Sequence, residues 1–209
     1  MAVKEFLPGA HFGILTPSYD FLCAVLGLGK GYRRKVLSIL VKNSRGNILD
    51  AGCGTGTLGR EIKRMMPSIE LTGIDADERM IAIARRNAKK ESLRIEYRKG
   101  LLQDLPFSSN HFHMVYSSLV FHHLPTPIKR KAAKEIFRVL KKNGVFVLSD
   151  FARPRGGLSS ILTFLGLHFE EGEANYKGEL PMILKEAGFQ SIRQAGIFRH
   201  SISIVVAKK

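Results

Sequence analysis

The segment Asn47–Gly59, NILDAGCGTGTLG, constrains the fold more than any other part of the chain. Ile48 and Leu49 predict a strand, which Asp50 ends beside a turn holding Gly52, Gly54 and Gly56. Glycine tolerates positive φ, and because it has no Cβ a ligand can lie against its backbone. The helix that follows directs unpaired N–H groups and the positive end of its dipole into the turn. We therefore expect an anionic group there, either a phosphate or the carboxylate of an amino acid.

Two interpretations of this turn are open. Gly54, Gly56 and Gly59 match G-x-G-x-x-G, the dinucleotide fingerprint, and Asp75 follows at about the 20-residue distance expected of an acid that binds a ribose. The same turn also matches D-x-G-x-G-x-G, which resembles motif I of the class I S-adenosylmethionine (SAM) methyltransferases and comprises Asp50, Gly52, Gly54 and Gly56. The acid two residues before the first glycine favours the methyltransferase. A turn that binds nothing is disfavoured, because the glycines and the downstream acid agree.

Length and composition limit the classes of protein to be considered. A chain of 209 residues suits one domain, and 44% hydrophobic with 24% charged residues is ordinary for a globular protein. The two cysteines, Cys23 and Cys53, form no disulfide framework, which favours a reducing, cytoplasmic setting. The sequence predicts neither a signal peptide nor a segment that spans a membrane.

The formal net charge of +15 favours an anionic partner. Lysine and arginine concentrate at Lys30–Lys35, Arg79–Lys99 and Lys129–Lys142. An anionic membrane surface, an acidic substrate or a nucleic acid would each fit, and so would solvated helix faces in a basic protein. Nucleic acid is the least favoured partner, because aromatic residues that could stack on bases are sparse among these charges.

Strands alternate with helices along the chain, which predicts an α/β fold with a largely parallel sheet. Asp77 is placed to cap the helix that begins at Glu78. Near the end, Ile192–Phe198 and Ile202–Ala207 are separated by only three residues and should pair as an antiparallel hairpin. Further strands are expected at Ile69–Ile74, Leu93–Tyr97, Phe112–Val120 and Val145–Leu148, and helices at Leu58–Met66, Glu78–Glu91 and Pro127–Leu140.

From Asn47 to the C-terminus the chain resembles the class I methyltransferases. The resemblance implies a Rossmann-like, mostly parallel seven-stranded sheet that ends in an antiparallel hairpin, with helices on both faces. GIDAD, at Gly73–Asp77, resembles the motif in which an acid binds the ribose hydroxyls. Asp75 would be that acid, with Ala76 and Met80 against the adenosine, and the implied cofactor is SAM, with S-adenosylhomocysteine as product.

Later segments complete this resemblance. KGLLQDLPF, at Lys99–Phe107, is similar to a segment in which an acid often binds adenine, but the corresponding residue is Leu101. The backbone near Leu101 and Leu102, or the Gln103 side chain, would then hold the adenine. SSLVFHHL begins at Ser117 and resembles the end of strand 4, which lies beside the methyl group in this family. RVLKKNGVFVLSDFARP and KEAGF resemble the entries to strands 5 and 6.

The segment Thr16–Leu37 resembles the opening of the ubiquinone/menaquinone C-methyltransferases, where a Tyr-Asp pair precedes an apolar helix. Tyr19 and Asp20 would cover the cofactor pocket. The strand-4 end reads FHHL rather than the Arg-Asn pair typical of that family, and bacterial phospholipid N-methyltransferases share a similar opening. The substrate is therefore open between a small apolar acceptor and a phospholipid at a membrane surface.

The resemblance also divides the single domain into three regions. Residues 1–45 would form a helical cap, 46–155 the SAM-binding core, and 156–209 the acceptor lid and the terminal hairpin. The apolar run Leu158–Leu167 would belong to the lid and, with Phe6, Leu7, Phe12 and Phe21, could form an apolar entrance. If these segments face outward, they would suit docking on an anionic bilayer.

Methyl transfer from a sulfonium needs a base only if the acceptor carries a proton. His122 is the preferred candidate of the pair His122–His123, and packing is the competing interpretation. A SAM-dependent methyltransferase acting on a small, apolar or lipid-like acceptor is the leading hypothesis, without a metal. Alternatives are a phospholipid N-methyltransferase, an NAD-dependent oxidoreductase, or a silent SAM- or lipid-binding module. The sequence leaves the oligomeric state open.

Overall fold

The computed structural model describes residues 29–153 and 173–209. Strands and helices alternate in these ranges, in agreement with the α/β prediction. The strands are β1 (Asn47–Ala51), β2 (Glu70–Asp75), β3 (Glu96–Lys99), β4 (Phe112–Ser118), β5 (Leu140–Phe151), β6 (Ser191–Phe198) and β7 (Ile202–Lys208). The helices are α1 (Lys30–Asn43), α2 (Thr57–Met65), α3 (Glu78–Lys90), α4 (Thr126–Val139), α5 (Glu173–Tyr176) and α6 (Leu180–Glu186), with a 3-10 turn at Phe121–His123.

The seven strands form one sheet in the order β3-β2-β1-β4-β5-β7-β6. Strands β1 to β5 are parallel, whereas β7 runs antiparallel to both β5 and β6. The predicted fold class and the terminal antiparallel hairpin are therefore confirmed. Strand β1 lies between β2 and β4, so the chain changes direction across the sheet at this point, where open α/β sheets bind ligands beyond the carboxyl ends of their strands.

The sheet is covered on both faces. On one face α4 and α6 bury apolar side chains against Leu148 and Val205, and on the other α1 and α2 pack against Ile48 and Val147. Helix α3 presents Ile81, Ala84 and Ala88 to a smaller cluster that includes Tyr97. The apolar stripes of the amphipathic helices thus bind them to the sheet and fix the loops at its carboxyl edge.

Two predicted strand boundaries were wrong. Strand β3 begins at Glu96 rather than Leu93, because its pairing with β2 runs from Thr72↔Glu96 to Asp75↔Lys99. Strand β5 is longer than predicted and begins directly at the end of α4, since Leu140 already pairs with Phe112 before the register shifts. The remaining predicted elements in the described ranges agree to within two residues.

Several expectations fall outside the described residues. Tyr19, Asp20, the apolar residues of the N-terminus and the run Leu158–Leu167 are among them, so the three-region division stays a prediction. Among the described residues no helix is long and apolar enough to cross a membrane. The same residues contain no cluster of three or more His, Cys, Asp or Glu side chains that could hold a metal ion.

Candidate functional site

The glycine turn between β1 and α2 is fastened to the neighbouring strand. The N–H groups of Gly52 and Cys53 both donate to the carbonyl oxygen of Ile74, at 2.8 and 2.9 Å. The three glycines of the turn have positive φ values, +84° at Gly52, +52° at Gly54 and +73° at Gly56. Side chains other than glycine rarely adopt this conformation, so the backbone explains why the sequence places glycine at each position.

The glycines of the turn differ in the space around them. A Cβ at Gly52 would lie 2.4 Å from Cγ2 of Val120, and one at Gly56 would lie 2.4 Å from the Tyr97 hydroxyl oxygen. A Cβ at Gly54 would meet no atom within 4 Å. Gly52 and Gly56 therefore permit close packing within the protein, whereas Gly54 borders open space beside the first turn of α2. This is the cradle that the predicted cofactor requires.

Asp75 ends β2 at the same edge. Its Oδ2 accepts from the Gly54 N–H at 2.8 Å and its Oδ1 from the Asp77 N–H at 3.0 Å. Burial raises the pKa of Asp75, and these backbone donors oppose the shift. The side chain is half-buried, as are those of Ala76 and Met80. The structure therefore places Asp75, the predicted ribose contact, against the glycine turn.

Three further predicted contacts differ in their accessibility. The Gly100 N–H donates to the Asp75 carbonyl at 3.0 Å, which places the Leu101–Leu102 turn next to Asp75. Leu101 is half-buried, but the Leu102 side chain packs in the main core and leaves only its backbone for a ligand. Ser117 is buried, and its hydroxyl donates to the Ala51 carbonyl at 2.7 Å. Ser117 thus ties β4 to β1 beneath the turn.

Asp50 lies under the glycine turn and is 3% exposed. Burial raises its pKa to about 7, with a smaller contribution from the charge of Asp75, while the neighbouring Tyr116 hydroxyl opposes the shift. The Tyr116 hydroxyl is itself buried and forms no regular hydrogen bond. A carboxyl in this setting changes its charge near neutral pH, so its ionisation can respond to a cation bound above it.

His122 and Asp150 form a buried pair at the ends of β4 and β5. Nδ1 of His122 lies 2.8 Å from Oδ1 of Asp150. Burial opposes the ionisation of Asp150, but the charge and hydrogen bond of His122 and the Phe151 N–H hold the pKa of this carboxyl below its usual value. A carboxylate only accepts, so we assign a proton to Nδ1 of His122, which makes Nε2 the ring nitrogen that is left for a ligand.

The second histidine of the pair differs from the first. Burial, followed by the charge of His122, lowers the pKa of His123 to about 3. The rings of His122 and His123 lie 3.8 Å apart, and His122 also packs edge-on against Phe151. The Asp150 carboxylate lies within hydrogen-bond distance of Nδ1 of His122, which supports the preference for His122 over His123.

The histidine pair and the glycine turn are joined through the loop that follows β4. Asp150 Oδ2 accepts from the Val120 and Phe121 N–H groups at 3.0 and 2.7 Å. The Val120 side chain in turn lies against Gly52, where a Cβ would collide with it. One loop therefore contacts the cofactor cradle on one side and carries the candidate base on the other.

Sequence reasoning did not find Asp150 or Asn175. Asn175 Nδ2 donates to Asp150 Oδ1 and to the Phe151 carbonyl, each at 3.2 Å. An acid two residues after the apolar run Val145–Leu148 was a signal for Asp150, because residues at the carboxyl end of a parallel strand border the ligand site. No local pattern marks Asn175.

Known proteins were compared with this chain and its fold. Residues 48–144 match the family described as "Methyltransferase domain". The demethylmenaquinone methyltransferase of Deinococcus radiodurans is 32% identical over 149 residues, which are 70% of this chain and 61% of the relative. That of Thermus thermophilus is 30% identical over 166 residues, 74% of each chain.

A crystal structure of a protein from Pyrococcus horikoshii superposes with a TM-score of 0.71 at 22% identity, over 92% of this chain and 95% of the other. At that identity the similarity concerns the fold alone. The comparisons give no support to an NAD-dependent oxidoreductase or to a phospholipid N-methyltransferase. On sequence, fold and the geometry of the glycine turn, the chain belongs to the ubiquinone/menaquinone C-methyltransferase family of class I SAM-dependent methyltransferases.

Proposed function

We propose that the protein transfers a methyl group from SAM to a small, apolar or lipid-like acceptor, and that His122 removes a proton from that acceptor. The observation that carries the proposal is the single loop after β4, which places Val120 against Gly52 and holds the His122–Asp150 pair. Cofactor cradle and candidate base are thus neighbours at the carboxyl edge of the sheet.

The residues that would hold the cofactor have distinct parts in this proposal. Gly54 borders open space in which the ligand can lie against the backbone. Asp75 accepts hydrogen bonds from ribose hydroxyls, and Asp50 supplies negative charge beneath the turn. Ala76, Met80 and the backbone at Leu101 and Leu102 flank the adenosine. Gly52, Gly56 and Ser117 shape the turn and the strand ends that support it. Bound SAM supplies an electrophilic methyl group on a sulfonium.

His122 would accept the acceptor's proton at Nε2 while Asp150 keeps the opposite ring nitrogen protonated. The Nε2 atom forms no hydrogen bond within the described residues, whereas Nδ1 is held at 2.8 Å. A positioned base contributes about 10²–10⁴-fold to a proton transfer, and alignment of the reacting groups contributes roughly 7–11 kcal/mol. This arrangement fits an acceptor that loses a proton, as a quinol-type ring does when it is methylated at carbon.

The first experiment is calorimetric titration with SAM, S-adenosylhomocysteine and NAD in parallel. Micromolar affinity for the first two and none for NAD is expected, and binding of NAD alone would refute the proposal. Methyl transfer to quinols and phospholipids is then compared between the wild type, His122→Gln and His111→Gln. His111 is an exposed histidine just before β4, at the opposite end of that strand from His122, and serves as the control.

Loss of kcat by about 10²–10⁴-fold in His122→Gln, with cofactor affinity and the His111→Gln enzyme unchanged, would support the role of His122. Equal activity of both variants would leave the methyltransferase proposal intact and remove His122 from it. Peripheral contact with an anionic membrane also remains a prediction, for which the charge of +15 is the motivation.

A further inference from the structure

The hydroxyl group of Tyr32 bridges the ends of strands β4 and β5. Its oxygen lies 2.7 Å from Oγ of Ser118 and 2.8 Å from Oγ of Ser149. These two serines are register partners at the carboxyl end of the β4–β5 pairing. A tyrosine hydroxyl has one proton, so it donates to one serine and accepts from the other. Tyr32 therefore holds both strands together at the edge of the sheet where the candidate site lies.

Tyr32 reaches this edge from helix α1, whose position is fixed by other contacts. The Tyr32 side chain is buried and lies edge-on against Phe198 of β6, with 5.6 Å between the ring centroids. The next residue, Arg33, donates from Nε to Oε1 of Glu61 in α2 across 2.9 Å. Helix α2 begins at the glycine turn. The sheet and the helix behind the turn thus both determine where the Tyr32 hydroxyl lies.

The chain enters an unfavourable conformation directly after the bridged pair. Leu119 has a φ value of +58°, although a side chain with a Cβ disfavours the left-handed region. Its N–H group donates to the Ser149 carbonyl at 2.8 Å. Such strain persists only where surrounding contacts impose it. The bridge from Tyr32 is one of these contacts, because it holds the residue immediately before Leu119.

The bridged strands lead into the residues of the proposed mechanism. Ser149 directly precedes Asp150, which accepts from Nδ1 of His122. Successive side chains of a strand point to opposite faces of the sheet, so Tyr32 approaches from the face away from the Asp150 side chain. The other strand continues into the loop in which the Val120 N–H donates to Asp150 at 3.0 Å. A shift at either strand end would therefore move the His122–Asp150 pair.

We propose that Tyr32 is a positioning residue for methyl transfer, because its hydroxyl holds the Ser118–Ser149 pair and thereby sets the geometry of His122 and Asp150. The inference rests on the proposed function and extends it to a residue of α1. Tyr32 acts through the two strand ends, on the face of the sheet that the Asp150 side chain does not occupy.

Tyr32→Phe removes the hydroxyl alone and tests the proposal on the acceptor found among the quinols and phospholipids. We expect kcat to fall about tenfold, with the acceptor KM and the affinity for S-adenosylhomocysteine within about twofold of the wild type. The reacting groups would be misplaced, whereas the contacts that bind the two ligands would remain.

Ser44→Ala is the matched control. Ser44 donates to the Leu40 carbonyl at 2.8 Å and lies 3.9 Å from Sδ of Met114, at the other end of α1 and β4. Like Tyr32→Phe, this substitution removes a hydroxyl between the helix and the sheet. It should lower the midpoint of urea unfolding and leave kcat unchanged, because it lies far from the carboxyl edge.

The proton on Nδ1 of His122 provides a readout that does not depend on turnover. In protein labelled with ¹⁵N-histidine, its NMR resonance is identified by its loss in His122→Gln. Tyr32→Phe should move this resonance upfield, since a proton in a weaker hydrogen bond is less deshielded. Ser44→Ala should leave it in place.

The two serines test whether the hydroxyl acts through the strand ends. Tyr32→Phe added to the double variant Ser118→Ala/Ser149→Ala should cause no further loss of kcat, because the bridge is already broken. A further loss as large as that in the wild-type background would contradict the proposal.

Unchanged kcat in Tyr32→Phe, or a fall in kcat equal to that in Ser44→Ala, would overturn the positioning role. A fall in kcat without movement of the resonance would also overturn it, because the effect would not pass through His122. Failure of the wild type to bind S-adenosylhomocysteine or to methylate any acceptor would refute the proposed function. The effect of Tyr32 on the His122 resonance would still be measurable in that protein.

Discussion

Nδ1 of His122 donates to Oδ1 of Asp150 across 2.8 Å, and both oxygens of that carboxylate accept further hydrogen bonds. Asp150 also accepts from three backbone N–H groups, those of Val120, Phe121 and Phe151. These backbone contacts hold the carboxylate in place independently of His122. The imidazole is therefore oriented by a fixed acceptor. Asp150 is therefore a positioning residue in the proposed mechanism.

Asp150→Asn is expected to lower both kcat and stability. The amide presents one acceptor oxygen in place of two, so at least one buried N–H loses its partner, at about 1–3 kcal/mol in the free energy of unfolding. We expect kcat to fall about tenfold or more while cofactor affinity and the acceptor KM are retained, since the ring loses its orientation rather than a binding contact. Urea unfolding and steady-state kinetics measure the two effects. Lost stability with unchanged kcat would make Asp150 purely structural.

The same pair sets an acid limit on stability. The native pKa of Asp150 is lowered, so the stabilisation it provides is present above the unfolded pKa, about 4, and is lost as the pH falls through the native value. Between pH 4 and pH 2 the wild type should therefore lose more stability than Asp150→Asn, as urea unfolding at each pH would reveal. Parallel curves for the two proteins would argue against this contribution.

Asp75→Ala is expected to weaken SAM binding about tenfold or more, because a carboxylate that accepts from ribose hydroxyls is removed. Asp77→Ala is the matched control. Asp77 accepts from the Arg79 N–H at 2.8 Å as the cap of α3, which confirms the predicted cap. Its loss should lower the free energy of unfolding by about 0.5–2 kcal/mol without changing the affinity. Calorimetric titration of both variants with SAM measures the affinities. Unchanged SAM affinity in Asp75→Ala would show that Asp75 does not belong to the cofactor site.

The raised pKa of Asp50 predicts opposite pH effects on stability and on cofactor binding. The native carboxyl holds its proton up to about pH 7. Stability of the free protein should therefore decrease as the pH rises from about 4 to 7, by up to about 4 kcal/mol, and then level off. A bound sulfonium and amino group favour the ionised form, so SAM affinity should increase through the same range.

Titrations at pH 6, 7 and 8, in buffers of different ionisation enthalpy, count the proton released on binding. Asp50→Asn should show neither the release nor the pH dependence. If the wild type releases no proton, Asp50 does not interact with the cofactor's charge.

Local patterns predicted the strand, turn and helix around Gly52–Gly56, because glycine conformation and hydrophobic periodicity are properties of short segments. The boundary of β3 depended on pairing with β2, and the early start of β5 depended on the Phe112–Leu140 pair. Such tertiary pairing is not encoded in the strand's own residues. The parts of the fold that sequence missed are therefore those set by neighbouring strands.

The candidate site likewise has a part that local sequence patterns predicted and a part that only tertiary contacts show. Asp75 and the glycines lie in recognisable segments, and the structure brings them together by the pairing of β1 with β2 and by a hydrogen bond from the Gly54 N–H to Asp75. Asp150 is 28 residues from His122, and Asn175 is 25 residues beyond Asp150. Their contact requires β4, β5 and α5 to converge, which only the folded chain shows.

Gly52 and Gly54 should respond to alanine in different ways, although both have positive φ. At Gly52 the new Cβ would lie 2.4 Å from Val120 Cγ2, so overpacking adds to the left-handed strain. We expect Gly52→Ala to lower the free energy of unfolding by about 2–4 kcal/mol. At Gly54 a Cβ meets nothing within 4 Å, so in Gly54→Ala the left-handed strain alone should lower the free energy of unfolding, by about 1–2 kcal/mol. The larger effect of Gly54→Ala should be on binding, because the methyl occupies the open side of the cradle.

Urea unfolding and titration with S-adenosylhomocysteine separate these effects. A stable Gly54→Ala protein with affinity reduced tenfold or more would indicate that the ligand lies against Gly54. If Gly54→Ala binds S-adenosylhomocysteine as tightly as the wild type does, the cofactor approaches the turn from another side. The proposed contact between Asp75 and the ribose would then also have to be revised.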